Sequence, residues 1–215
     1  MKQLKRWRLW TVAAGMVAAL LAIAGCSLTQ PQPVKEAFLL QFGNAPAPAP
    51  RPHPGTLRIG TFGVVAPFEG RGLVYRRSDY QYVSDFYNEY FVSPGAMIRE
   101  RIGAYLTQAR PFENIAIDAQ VGARFQLRGV VTQLVGDVRD KAAPSAVLAI
   151  HFYLVATDAA ADRPLLDRVI ERRVPLRDAS AGALVEGLSR ALDGVLAALA
   201  QELMQLQPRA STSSP

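Results

Sequence analysis

Apolar and polar residues alternate along this chain in blocks, and each block predicts an element. Leu9 to Ile23 is an apolar run preceded by Lys2, Lys5, Arg6 and Arg8, with no acid. Val34 to Phe42 contains Phe38, Leu39, Leu40 and Phe42 and predicts a first strand. Five prolines between Asn44 and Gly55 interrupt any ladder or helix, so this segment predicts a polyproline-like connector with His53 exposed inside it. Leu57, Ile59 and Thr61 alternate with Arg58, Gly60 and Phe62, predicting a strand through Val65. Phe68 to Gly72 reads as a loop. Leu73 to Arg77 and Tyr80 to Val83 predict a hairpin around Ser78 and Asp79.

Ser93 and Pro94 signal a helix start, with serine as cap and proline at the first helical position. Ile98, Ile102, Tyr105 and Leu106 share one face, and the helix should end near Ala109, before Pro111. Phe125 to Val135 is rich in strand-forming residues. Val147 to Ala156 is apolar on both faces, as a central strand would be. Leu165 to Val174 alternates apolar with charged, as an edge or half-exposed strand does, with its turn at Ala159 to Pro164. Leu184, Leu188, Leu192, Val195, Leu199 and Leu203 mark the stripe of a last helix, Ala181 to Gln205, capped by Asp178 or Ser180. The expected fold is α+β: a two-layer mixed sheet with both main helices on one face.

The first apolar run is shorter than the ~20 residues of a typical span. It ends in Ile23, Ala24, Gly25 and Cys26, an aliphatic residue and two small ones before the chain's single cysteine. A basic start, an apolar middle and a small-residue cut site make a secretory leader, and the cysteine makes it a lipoprotein leader. Residues 1–25 are thus expected to be removed between Gly25 and Cys26, with Cys26 acylated. Residues 26–33 would then form a tether, 34–207 the domain and 208–215 a disordered tail. Ser27, rather than aspartate, follows the cysteine and favours the inner leaflet of the outer membrane in a Gram-negative cell.

The leader changes the meaning of the charge. Four basic residues leave with it, so the side-chain balance falls from +6 to +2. The remaining arginines are scattered among acids, which argues against nucleic acid. With half of all residues hydrophobic, a packed core is feasible. Catalytic motifs are missing: the two histidines, His53 and His151, lie in a proline connector and a strand, with no Walker loop, G-x-S-x-G or H-E-x-x-H. His151 reads as a core or edge histidine. No enzyme activity, metal or cofactor is expected.

The candidate surface is a cluster of aromatic residues and arginines that includes Arg71, Tyr75, Arg76, Tyr80, Tyr82 and Phe86. Such residues either fill a sheet–helix core or form an interface hot spot. Strand alternation puts Tyr80 and Tyr82 on one face and Tyr75 and Arg76 on opposite faces, with Arg71 and Arg76 expected outside and Tyr75 inside.

In order, the lipobox, Phe38-Leu39-Leu40, Leu57-Arg58-Ile59-Gly60, and Gly72-Leu73-Val74-Tyr75-Arg76 with Tyr80 and Tyr82 resemble the ABC-type transport auxiliary lipoproteins. That group includes the PqiC (YmbA-like) lipoproteins. Tyr90-Phe91-Val92-Ser93-Pro94 continues the likeness, with Phe91 where family members often carry tryptophan before the proline. The resemblance implies a non-enzymatic outer-membrane component of an envelope lipid transport system. Its partners would be an MCE-domain protein and an ABC transporter or permease. Arg71, Arg76, Tyr80 and Tyr82 are the docking candidates. The alternatives are an assembly lipoprotein of another envelope complex and a module that itself binds phospholipid; a homo-oligomer stays open. A deep apolar cavity would favour lipid binding, an exposed aromatic rim docking.

Overall fold

The computed structural model describes residues 34–43, 45, 47–117, 122–157 and 164–206. The chain divides into two units, Met1–Val34 and Lys35–Pro215, and the fold is that of the second. The leader, the tether, most of the turn between the last two strands and the tail lie outside the described residues.

Among the described residues, eight strands form one mixed sheet: β1 (Glu36–Phe38), β2 (His53–Val64), β3 (Gly72–Arg76), β4 (Tyr82–Tyr90), β5 (Phe112–Ala116), β6 (Phe125–Asp137), β7 (Ser145–Ala156) and β8 (Leu166–Pro175). The helices are α1 (Ala66–Glu69), α2 (Pro94–Ala109) and α3 (Ala181–Met204). The antiparallel ribbon β6–β7–β8 is the sheet's spine, with Leu127 opposite Leu154, Val131 opposite Ile150 and Leu134 opposite Leu148. β7 covers one edge of β6 along its full length. The other edge is shared: β2 runs parallel to Phe125–Val131, and β3 to Gly136 and Asp137. β4 pairs antiparallel with β3, and β1 runs parallel along the far end of β4.

α2 and α3 cover one sheet face, giving the expected two layers. The α3 stripe from Leu184 to Leu203 is fully buried. Its close approach needs Gly187, where an added Cβ would lie 2.3 Å from Leu176 and 2.9 Å from the Ala146 side chain. At the start of α3, the Ser180 hydroxyl accepts from the Ala183 N–H at 3.2 Å. α2 has the expected bounds, but the side chain of Ser93 makes no capping bond. Pro94 already removes one of the unpaired donors a cap would serve. Arg110 ends α2 in the left-handed region (φ 48°), its N–H returning to Leu106 O.

Other expectations change as well. Phe68 and Glu69, expected in a loop, belong with Ala66 and Pro67 to a helical turn that buries Phe68. β5 has no counterpart in the sequence reading. It exists because β2 offers it a partner from Thr56 to Arg58. His53 is not exposed in a connector. It opens β2 opposite Phe112, rests its ring 5.3 Å from that ring, and places Nε2 2.9 Å from the Leu203 carbonyl in the last turn of α3.

Candidate docking surface

The β3–β4 hairpin turns through Ser78 and Asp79. Arg77 donates its N–H to the Gln81 carbonyl at 2.8 Å, and the Ser78 hydroxyl accepts from the N–H groups of Tyr80 and Gln81. These bonds hold Tyr80 in the turn, before β4 begins, with its side chain 98 % exposed. Tyr80 and Tyr82 are therefore not alternate residues of one strand. Tyr82, 44 % exposed, pairs with Arg76 across the hairpin. The guanidinium carbon of Arg76 lies 5.7 Å from the centre of the Tyr82 ring, and Phe68 of α1 meets that ring edge-on at 6.2 Å. Arg76 also donates to the Ser78 carbonyl and to Asp79, so it is held against the tyrosine and only partly exposed.

Tyr75 turns the other way. Its ring abuts Gly136, beside Leu184 of α3, on the helix-covered face. Burial, with the nearby Asp85 carboxylate, pushes its hydroxyl up to about 12. Arg71 does not join Arg76. It lies just before β3, about 16 Å away at strand spacing. There its Nε donates to the Tyr90 carbonyl at 2.9 Å and its terminal nitrogen pairs with Glu89, tying the far end of β4 to β3. The hairpin tip thus gathers Arg76, Tyr80 and Tyr82, while Arg71 braces its base.

A second charged cluster underlies the tip. Asp137, at the end of β6, is nearly buried and accepts from Arg139 at 2.9 and 2.8 Å and from Arg173 at 3.1 Å. Arg139 reaches on to Asp79, joining the tip to the sheet's spine. The hydrogen bonds from Arg139, reinforced by Arg173 against the effect of burial, hold the Asp137 carboxyl well below the usual carboxylate range. A depressed folded-state value stabilises the fold above the unfolded value and is lost as pH falls through the folded one. Asp137→Asn should cost about 2 kcal/mol at neutral pH, the scale of a charged hydrogen bond. The deficit relative to wild type should shrink below about pH 4, where carboxylates begin to protonate. Urea titrations at neutral and acidic pH check this. An equal deficit at both would mean the charge of Asp137 contributes nothing.

His151 sits on the sheet face away from the helices. Tyr153 Oη lies 2.7 Å from its Nδ1, and Asp167 lies against Nε2, so both ring nitrogens are engaged. Among the described residues, no three histidine, cysteine, aspartate or glutamate side chains converge to hold a metal, and no helix is long and apolar enough to cross a membrane.

The expected strand from Tyr80 to Val83 is instead β4, Tyr82–Tyr90, and within its added length lies a bulge. Gly72 and Val74 are two residues apart on β3, but their partners Glu89 and Ser84 are five apart on β4. The surplus residues bulge outward. Asp85 holds the bulge, its carboxylate accepting from the N–H groups of Tyr87 and Asn88 and from the Asn88 side chain. Burial works against the charge of Asp85, but these donors outweigh it and keep the carboxyl below its ordinary value. Phe86 and Tyr87 project from the bulge, 69 and 43 % exposed, their rings edge to face at 5.2 Å. An aspartate that bonds backbone N–H groups two and three residues on is a turn signal, and Asp85-Phe86-Tyr87-Asn88 carries it. Beside the bulge, a groove of about 880 Å³ runs past Tyr75, Val83, Val138 and Pro144 to the start of α3.

The family model for the ABC-type transport auxiliary lipoprotein component matches residues 38–200, and the chain belongs to that family. It is therefore an envelope lipoprotein, held at a membrane, and an auxiliary component of ABC-type transport. Among solved structures it is similar to a Xanthomonas campestris protein assigned to DUF330, at 13 % identity and a TM-score of 0.69, covering 79 % of this chain and 95 % of that one. A second, described only as an uncharacterized protein, has 20 % identity and a TM-score of 0.63, covering 79 % of this chain and 99 % of its own. Both likenesses concern the fold. No curated protein matches the sequence.

Proposed function

We propose that this auxiliary lipoprotein is anchored through Cys26 in the inner leaflet of the outer membrane and docks an MCE-type partner of an envelope lipid transport system. The docking surface is the tip of the β3–β4 hairpin, formed by Tyr80, Tyr82 and Arg76. The observation that carries this reading is the exposure of two tyrosines on a tip whose backbone is already bonded internally. A rigid turn that presents tyrosine rings loses little conformational entropy on binding, which is why tyrosine and arginine dominate interface hot spots. Non-enzymatic docking also suits a site where the charged groups beside the tip are spent on one another. Arg76, Arg139 and Arg173 are all engaged with Asp79 or Asp137.

Tyr80→Ala with Tyr82→Ala should leave the melting temperature within a few degrees of wild type, because both rings are largely outside the core. It should weaken copurification of the MCE partner at least tenfold, as loss of hot-spot residues at ~1 kcal/mol or more each would. It should also reproduce the detergent sensitivity of a deletion strain. Arg71→Ala is the contrasting change: it should lower stability through the lost bond to Tyr90 O and leave partner recovery per folded molecule unchanged. Wild-type recovery with the double tyrosine variant at normal protein levels would remove the tip as the docking site.

A further inference from the structure

We infer that the β4 bulge is a second, non-covalent membrane contact, with Phe86 and Tyr87 seated in the phospholipid headgroup region. Three independent features converge there. The bulge turns two adjacent rings outward on a backbone braced by Asp85, a device that re-aims side chains where a strand would otherwise alternate them. The ammonium of Lys35 lies 4.4 Å over the Phe86 ring, so the apolar projection carries a cation suited to lipid phosphates. Aromatic rings with a flanking lysine are the side chains that settle at a membrane–water boundary.

The covalent path supplies the third. Lys35 is nine residues after Cys26, a reach of at most about 32 Å fully extended. Phe86 lies directly under the Lys35 ammonium. The bulge pair is thus joined to the acyl-bearing residue by a short stretch of chain. The hairpin tip, four residues up β4 from Phe86, remains outside this contact and open to a protein partner. A bilayer-seated bulge would fix the orientation in which the tip is presented, where acyl chains alone would leave the domain free to swivel.

The chain's two tryptophans, Trp7 and Trp10, precede Cys26, so the processed lipoprotein offers a dark background for fluorescence. Phe86→Trp and Tyr87→Trp are made in the full chain, processed in cells and reconstituted into vesicles of phosphatidylethanolamine and phosphatidylglycerol. Acyl chains brominated near the headgroup serve as quenchers. Emission from position 86 or 87 should fall roughly twofold relative to unbrominated vesicles, as expected for side chains buried 5–10 Å into the boundary. Val169→Trp, on an exposed position of β8, should be unquenched. Emission from positions 86 and 87 that is as insensitive to bromination as that from position 169 would overturn the proposal. So would a photoreactive phenylalanine analogue at position 86 that forms protein adducts and no phospholipid adducts in intact envelopes. Neither outcome depends on whether the hairpin tip binds its partner.

Discussion

Leu192→Asp is expected to abolish the folded state. Leu192 lies in the middle of α3, fully buried, with Leu188, Val195, Leu196 and Leu199 equally inaccessible around it. The change removes a side chain whose burial contributes about 1.5–3 kcal/mol. It also strands a carboxylate among apolar groups, at several kcal/mol more, unless it takes up a proton. Together these approach the whole stability of an ordinary domain, ~5–15 kcal/mol. The helical circular dichroism signal and the cooperative melt should both be lost. Leu192→Met is the control: volume-conserving, it should cost under about 1.5 kcal/mol and keep the melt. A Leu192→Asp protein with a native spectrum and wild-type melting would mean that α3 turns this stripe away from the sheet.

Cys26→Ser should have the largest effect in the cell. A hydroxyl does not replace the thiol as acceptor of the diacylglyceryl group. The lipoprotein peptidase acts after that transfer, so the unprocessed precursor should accumulate. Loss of the acyl chains removes roughly 0.8 kcal/mol for every buried CH₂, far more than the bulge or any lysine could replace. Mass spectrometry should find the full-length precursor without lipid. Maturation to the wild-type mass with acyl chains attached would exclude Cys26 as the anchor. Ser27→Asp, in cells that sort lipoproteins by that residue, should move the protein to the inner-membrane fraction of a density gradient. An unchanged distribution would count against outer-membrane placement by Ser27.

Where neighbours in the chain supply the deciding forces, structure is legible from the residues. α2 begins at Pro94, which is ready for a first helical turn, and stops before Pro111, whose ring bars continuation. α3 follows its leucine stripe because a helix of 24 residues carries enough apolar face to find a sheet. β8, which pairs with β7 alone among the described residues, is an edge strand, and Asp167, Arg168, Glu171, Arg172 and Arg173 are the charges that keep such an edge in water. The α+β class follows from the same periodicities.

The site depended on partners remote in the chain. Arg71 and Arg76 look alike in sequence, each within a glycine-, tyrosine- and arginine-rich segment. One is taken by Tyr90 and Glu89, the other by Tyr82 and Asp79. Strand alternation misplaced Tyr80 because the turn runs through Gln81, closed by Arg77 N–H and Ser78 Oγ. His53 is drawn out of its proline context by a carbonyl 150 residues away. The bulge of β4 arises from pairing β3 at both of its ends while fitting a longer run of residues between them, with Asp85 satisfying the displaced N–H groups. Periodicity reports which face of an element is apolar. It carries no information about which distant donor meets which acceptor, and those pairings place the tyrosines at the tip and the aromatic pair on the bulge.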